Sequence, residues 1–276
     1  MSLSFSSLVD MYLESHPATS DLLKRTIQFG VAQTSGSDLL DHHLDPMVAS
    51  IYKDIGLIVD AERCSIEDTH LYIGELSVFA RYNATFLTRA ASFVSGFCPE
   101  LAHELNRNFL EEGGERGKLP AHYVLFTGAL IEDLDFMVNG WVPRAQSTRD
   151  LLSMIDILSW SHCPSTILGM YYATESVAIS ETEQLRALTN RLGQLQGGGK
   201  LAKLDNYYRI HLDENHEAAT EGIAVERGHQ DGIARFIREA ETFGFLQPQI
   251  IDGFLQILHL FVNQWIEIAS ITSRAG

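Results

Sequence analysis

The 276-residue sequence predicts an all-α fold, and three observations carry the prediction. Apolar residues recur at three-and-four spacing through most of the chain, as they do when one face of each helix turns inward. All seven prolines (17, 46, 99, 120, 143, 164 and 248) stand at the starts of such stretches or between them, where a missing amide proton is tolerated. No stretch of four or more residues alternates apolar and polar as a half-buried strand would.

Taken in order, residues 5–15 and 20–34 read as amphipathic helices, the second opened by Ser20 and Asp21 and followed by Gly36. His42 and His43 read as a solvated turn, because tandem residues project to different helix faces. Pro46 begins the next helix. One long helix follows from Ile66 to Gly96, with Phe79, Tyr82, Phe86 and Ala90 as its inward stripe. Pro99 opens a helix that closes at Gly113-Gly114, glycines being free to take the left-handed conformation that stops a helix. Pro120 opens another, carrying His122 in its first turn and ending in the acidic knot Ile131-Glu132-Asp133-Leu134-Asp135. Helices over 146–162 and 164–192 lead to the turn Gln196–Lys200, which has neither the preceding strand nor the following Ser or Thr of a phosphate loop. Residues 219–242 and the strongly apolar 247–272 complete a single domain spanning 1–276.

A formal charge of -16, from 36 acidic and 20 basic residues, argues against nucleic acid and against an anionic membrane surface as partners. Cys64, Cys98 and Cys163 are an odd set at spacings that fit neither a disulfide framework nor a zinc ribbon, which points to a reducing compartment. No run reaches eighteen uninterrupted apolar residues and the first residues lack a signal-peptide pattern. The expectation is a cytoplasmic protein with no membrane association, and the apolar last helix suggests a homodimer.

Side chains able to hold a metal are concentrated in Asn206–Ala218, where His211, Asp213, Glu214 and His216 fall within six residues. On a regular helix at about 100° per residue, His211, Asp213 and His216 point near 0°, 200° and 140°, so Asp213 and His216 share a face and His211 does not. A site there needs partners from other helices. Glu111 or Glu112 followed by His122, and Glu175 in Met170-Tyr171-Tyr172-Ala173-Thr174-Glu175, could supply them. Glu100 and His103 form an E-x-x-H pair that ranks below these. Carboxylates and imidazoles on facing helices are how a bundle builds a dimetal centre, and mixed nitrogen and oxygen donors suit iron or manganese.

The ordered pattern Glu112-x9-His122, the lone Glu175 after its aromatic run and the later His/Asp/His cluster resemble the haem-oxygenase-like diiron oxidases, which include CADD (the Chlamydia protein associating with death domains) and its bacterial relatives. The resemblance covers roughly residues 70–265. It implies a haem-oxygenase-like bundle, metal ligands Glu112, His122, Glu175, His211, Asp213 and His216, two irons or an iron/manganese pair, and dioxygen as co-substrate for oxidising a small organic molecule, often in specialised metabolism. The family motif H-x3-D-x2-H departs here: with Asp213 and His216 in register, Arg209 stands at the first His. Either a bulge recruits His211 or the second metal is weakly held. Rival readings keep the scaffold for magnesium-dependent chemistry on a prenyl diphosphate at Glu132, Asp133 and Asp135, for a single-histidine haem site, or for metal-free binding.

Overall fold

The computed structural model of the chain describes residues 35–114, 120–212 and 225–272, so the helices expected at 5–15 and 20–34 lie outside the described residues. Among the described residues every regular element is helical. The main ones are α1 (Asp45–Ile58), α2 (Ile66–Val94), α3 (Pro99–Glu112), α4 (His122–Leu134), α5 (Gln146–Ser159), α6 (Pro164–Leu195), α7 (Ala202–Leu212), α8 (Val225–Arg238) and α9 (Gln247–Thr272). Their buried apolar side chains form one continuous cluster, from Leu39 to Ile268.

Sequence dictates most of the boundaries. Ser65 accepts from the Asp68 amide while Asp68 accepts from the Ser65 amide, a reciprocal cap that starts α2. Pro99 and Pro164 occupy the first turns of α3 and α6. Gly114, with φ of 89°, ends α3 where the glycine pair was expected to stop it. The apolar run at 247–272 is α9, long and apolar enough to cross a membrane but mostly buried in the bundle, where Ile250, Phe254, Ile257, Phe261 and Trp265 face the core. Its apolarity is therefore accounted for by helix packing.

Two local expectations are corrected. His42 and His43 are not in a turn: Leu40–Leu44 is a π-helical segment that runs into α1, with the Asp45 amide donating to the Leu40 carbonyl. Pro46 cannot donate, and its ring crowds the carbonyl four residues back, so the backbone widens just before it. Tyr82 is 41% exposed rather than inward, because it sits at the edge of the stripe whose centre is Phe86 and Ala90.

The bundle sets α6 and α9 side by side and parallel. At one end the Leu246 amide donates to Ser165 Oγ at 2.9 Å, and further along Trp265 Nε1 donates to Glu181 Oε1 at 3.1 Å. The hairpin α2–α3 packs on one flank, and α4, α7 and α8 close over the middle of α6. The last turn of α3, the first turn of α4, the last turn of α7 and the first turn of α8 thus meet the centre of α6.

Candidate metal centre

Each helix delivers its polar residue by continuing an apolar stripe. On α3 the buried positions Leu101, Leu105 and Asn108 lead by i+4, i+3 and i+4 to Glu112. On α6, Leu168, Tyr171 and Tyr172 lead to Glu175, which is 3% exposed. On α8, Glu226 and His229 occupy the same face as Ile233 and Ile237, and on α7 His211 follows Leu204 and Tyr208. A carboxylate or imidazole at such a position is carried into the interior, where it needs a partner.

The partners are each other. Glu175, Glu226 and His229 offer donor atoms that all lie within 4.8 Å of one another. His229 Nδ1 is 3.6 Å from Glu175 Oε2 and 3.8 Å from Glu112 Oε1, and its Nε2 is 2.7 Å from Glu111 Oε2. Glu112 Oε1 is also 3.5 Å from His122 Nδ1. The His122 ring meets the His211 ring edge-on at 4.6 Å and lies 6.5 Å from the His229 ring. His211, 1% exposed, bonds through Nδ1 to the Tyr207 carbonyl at 2.7 Å, which leaves Nε2 for the cluster.

Charge and burial compete across the cluster. Burial pushes Glu226 up to about 7, His229 opposing and Glu112 and Glu175 adding to the rise. Burial also raises Glu111, but the His229 hydrogen bond and Arg107 outweigh it and hold that carboxyl down to about 2. Glu112 is likewise lowered, burial being overcome by His122 and His229. His229 and His122 are raised despite burial, by Glu111 and Glu175 in one case and Glu112 in the other. His211 is driven down to about 3 by burial and by His122, so it is a neutral imidazole.

The donor set fits a metal. His122 Nδ1, His229 Nδ1, His211 Nε2 and Glu175 Oε1 are buried with no hydrogen-bond partner among the described residues. Buried polar atoms are seldom left so, and four in one cluster is what a coordinating cation would satisfy. Two donors each about 2.1 Å from one ion sit about 3.0–3.4 Å apart, close to the 3.5–3.8 Å nitrogen–oxygen separations here. A metal bound there would displace the protons that the shifts favour on Glu226, His122 and His229.

Of the six residues named from sequence, the structure brings Glu112, His122, Glu175 and His211 together; Asp213 and His216 lie outside the described residues. His211 does face the cluster, on a helix that is regular through Leu212, while Arg209 is exposed. Sequence reasoning missed Glu226 and His229. Their signal was present: a Glu and a His three apart, in phase with Ile233 and Ile237. The acidic knot is occupied otherwise. Asp133 Oδ2 accepts from the Lys203 and Leu204 amides at 2.8 and 2.9 Å and so caps α7, Glu132 pairs with Lys203, and Asp135 is exposed. Glu100 and His103 are exposed as well.

These features define a class: an all-α bundle with a buried carboxylate–imidazole cluster at its middle. No family model matches the chain, and no curated protein matches its sequence. Among solved structures the chain is similar to a CADD-like protein of unknown function from Nostoc punctiforme. One crystal structure of it, at 2.00 Å, gives a TM-score of 0.64 at 21% identity, covering 92% of this chain and 98% of that one. A second, at 1.35 Å, gives 0.60 at 21% identity, covering 94% and 97%. The likeness establishes a shared CADD-like fold.

Proposed function

We propose that this chain is a two-metal oxidase or oxygenase of the haem-oxygenase-like type, acting on a small organic molecule. One ion is held by Glu175, Glu226 and His229, the other by Glu112, His122 and His211, and iron or an iron/manganese pair suits both donor sets. The observation that carries the reading is the convergence of three carboxylates and three imidazoles from five helices, four of their donor atoms buried without a hydrogen-bond partner among the described residues. A set of two histidines and one carboxylate is the composition that holds ferrous iron in many oxygenases, and Glu112, His122 and His211 have it.

When bound, reduced iron supplies electrons to dioxygen. The protein supplies the enclosure. Tyr207 lies against His211 with ring centroids 4.0 Å apart, and Phe126 lies against Tyr207 at 5.1 Å, a wall that keeps water from the imidazoles. Rigid helices fix the donors before any ion arrives, which limits reorganisation on binding.

The test is anaerobic loading with ferrous iron followed by mixing with oxygenated buffer. We expect oxygen consumption in proportion to bound iron, and none above the free-iron rate for E175A. A chain that binds iron at this cluster yet leaves oxygen untouched would refute the oxidative reading, and one that binds no metal would remove its basis.

A further inference from the structure

Beside the ligand face of α3 runs a second polar stripe, Glu104, Arg107 and Glu111, spaced i+3 and i+4. Arg107 Nη1 donates to Glu111 Oε1 at 2.7 Å, and its Nε and Nη2 donate to Glu104 Oε1 at 3.1 and 2.5 Å. Nη2 also reaches the Gly228 carbonyl at 3.3 Å, tying the stripe to the residue preceding His229. Gly232 leaves room for the Glu104 carboxylate, against which a Cβ at that position would sit. The far oxygen of Glu111 then meets His229 Nε2 at 2.7 Å.

A histidine has two ring nitrogens, and what one bonds decides what the other can do. A carboxylate can only accept, so Nε2 carries the proton and Nδ1 keeps its lone pair in the neutral ring. Nδ1 is the nitrogen that faces Glu175 and Glu112, at 3.6 and 3.8 Å, and that has no hydrogen-bond partner among the described residues. We propose that Glu111 is the positioning residue of the site: it fixes the tautomer and ring orientation of His229 so that Nδ1 ligates, and Arg107, braced by Glu104 and the Gly228 carbonyl, holds Glu111 in place. The inference rests on the two-metal reading. It assigns to the neighbouring glutamates of α3 different tasks, Glu112 as ligand and Glu111 as the group behind one.

Cobalt(II) titration of the full chain, followed by visible absorption, tests this, because the d–d bands report the ligand set and the titration counts positions. For E111A the account predicts unchanged helical circular dichroism, a loss of about 10–100-fold in affinity at one position only, and altered bands for that position. E111Q keeps an acceptor for the Nε2 proton and should stay within a few-fold of the native chain, whereas E111M, which keeps the bulk without the acceptor, should fall as far as E111A, a split that a packing role alone would not give. R107A should fall between them. Titration of E111A indistinguishable from the native chain would overturn the inference, as would E111Q falling as far as E111A. If E111A does not fold, the pair E111Q and E111M decides: retention in E111Q with loss in E111M supports the role, and equal behaviour of the two refutes it. Failure of the native chain to bind cobalt would instead defeat the two-metal reading and this inference with it.

Discussion

Helix α6 buries two glutamates six residues apart, Glu175 and Glu181, in surroundings that differ in kind. Glu175 is near His229 and shares a cluster with Glu226 and Glu112, while Glu181 has the Trp265 indole, whose Nε1 donates to it at 3.1 Å. Burial pushes the Glu181 carboxyl up to about 8, and the indole hydrogen bond opposes this only in part. A lone acid in an apolar setting solves its burial by keeping a proton, whereas Glu175 lies among imidazoles and carboxylates that could share a cation with it. Depth alone does not mark a site. The neighbours do.

The comparison can be broken most directly by exchanging each acid for its amide or for alanine. E175A should lower iron affinity by at least the roughly 10–100-fold that outer partners of metal ligands give, measured by competitive chelation, with helicity unchanged. E181Q should leave iron binding as it is. Equal losses in the two variants would mean that the helix responds to any change in its buried acids, and the contrast between them would collapse.

Stability against pH sharpens the same contrast. The folded-state value of Glu181, about 8, exceeds that of an unfolded glutamate near 4.3, so between those values the folded chain holds a proton that the unfolded chain has released. Stability from this group is full below about pH 4 and is lost as pH rises towards 8. E181Q, whose side-chain oxygen still accepts from Trp265, removes that slope. It should raise stability at pH 8 by on the order of 2–4 kcal/mol in denaturant titrations, with little gain at pH 5. No difference between the two pH values would show that Glu181 ionises freely in the fold.

A smaller effect separates the acidic knot from the candidate metal centre. D133A removes the carboxylate that accepts from the Lys203 and Leu204 amides, and should cost about 1 kcal/mol of stability. Iron content should not change. Loss of metal on D133A would return the knot to the list of metal-binding groups.

The helices were legible because their signals are local. Pro99, Pro164 and the Gly113-Gly114 stop each act within a turn or two, and the structure uses them where the sequence puts them. Glu112, His122 and Glu175 were legible because their order and spacing are distinctive. Glu226 and His229 stand outside the dense run of ligand-type residues around Asp213, and density is no measure of burial. What distinguishes Glu226 and His229 is phase: they share the face of Ile233 and Ile237, which are fully buried. The direction of His211 could not be read either, since it depends on which helices surround α7 and not on its spacing from Asp213. The pairing of Glu111 with His229 joins residues 118 apart and is a fact of tertiary packing alone.

By the proposed reading, the buried carboxylates and imidazoles of α3, α4, α6, α7 and α8 form one two-metal centre. Anomalous scattering at the iron edge, from crystals of the iron-loaded chain, tests it most directly. The account predicts about two peaks per chain, one bounded by Glu175, Glu226 and His229 and one by Glu112, His122 and His211. Iron found only on exposed surface carboxylates, with no peak inside the bundle, would contradict it.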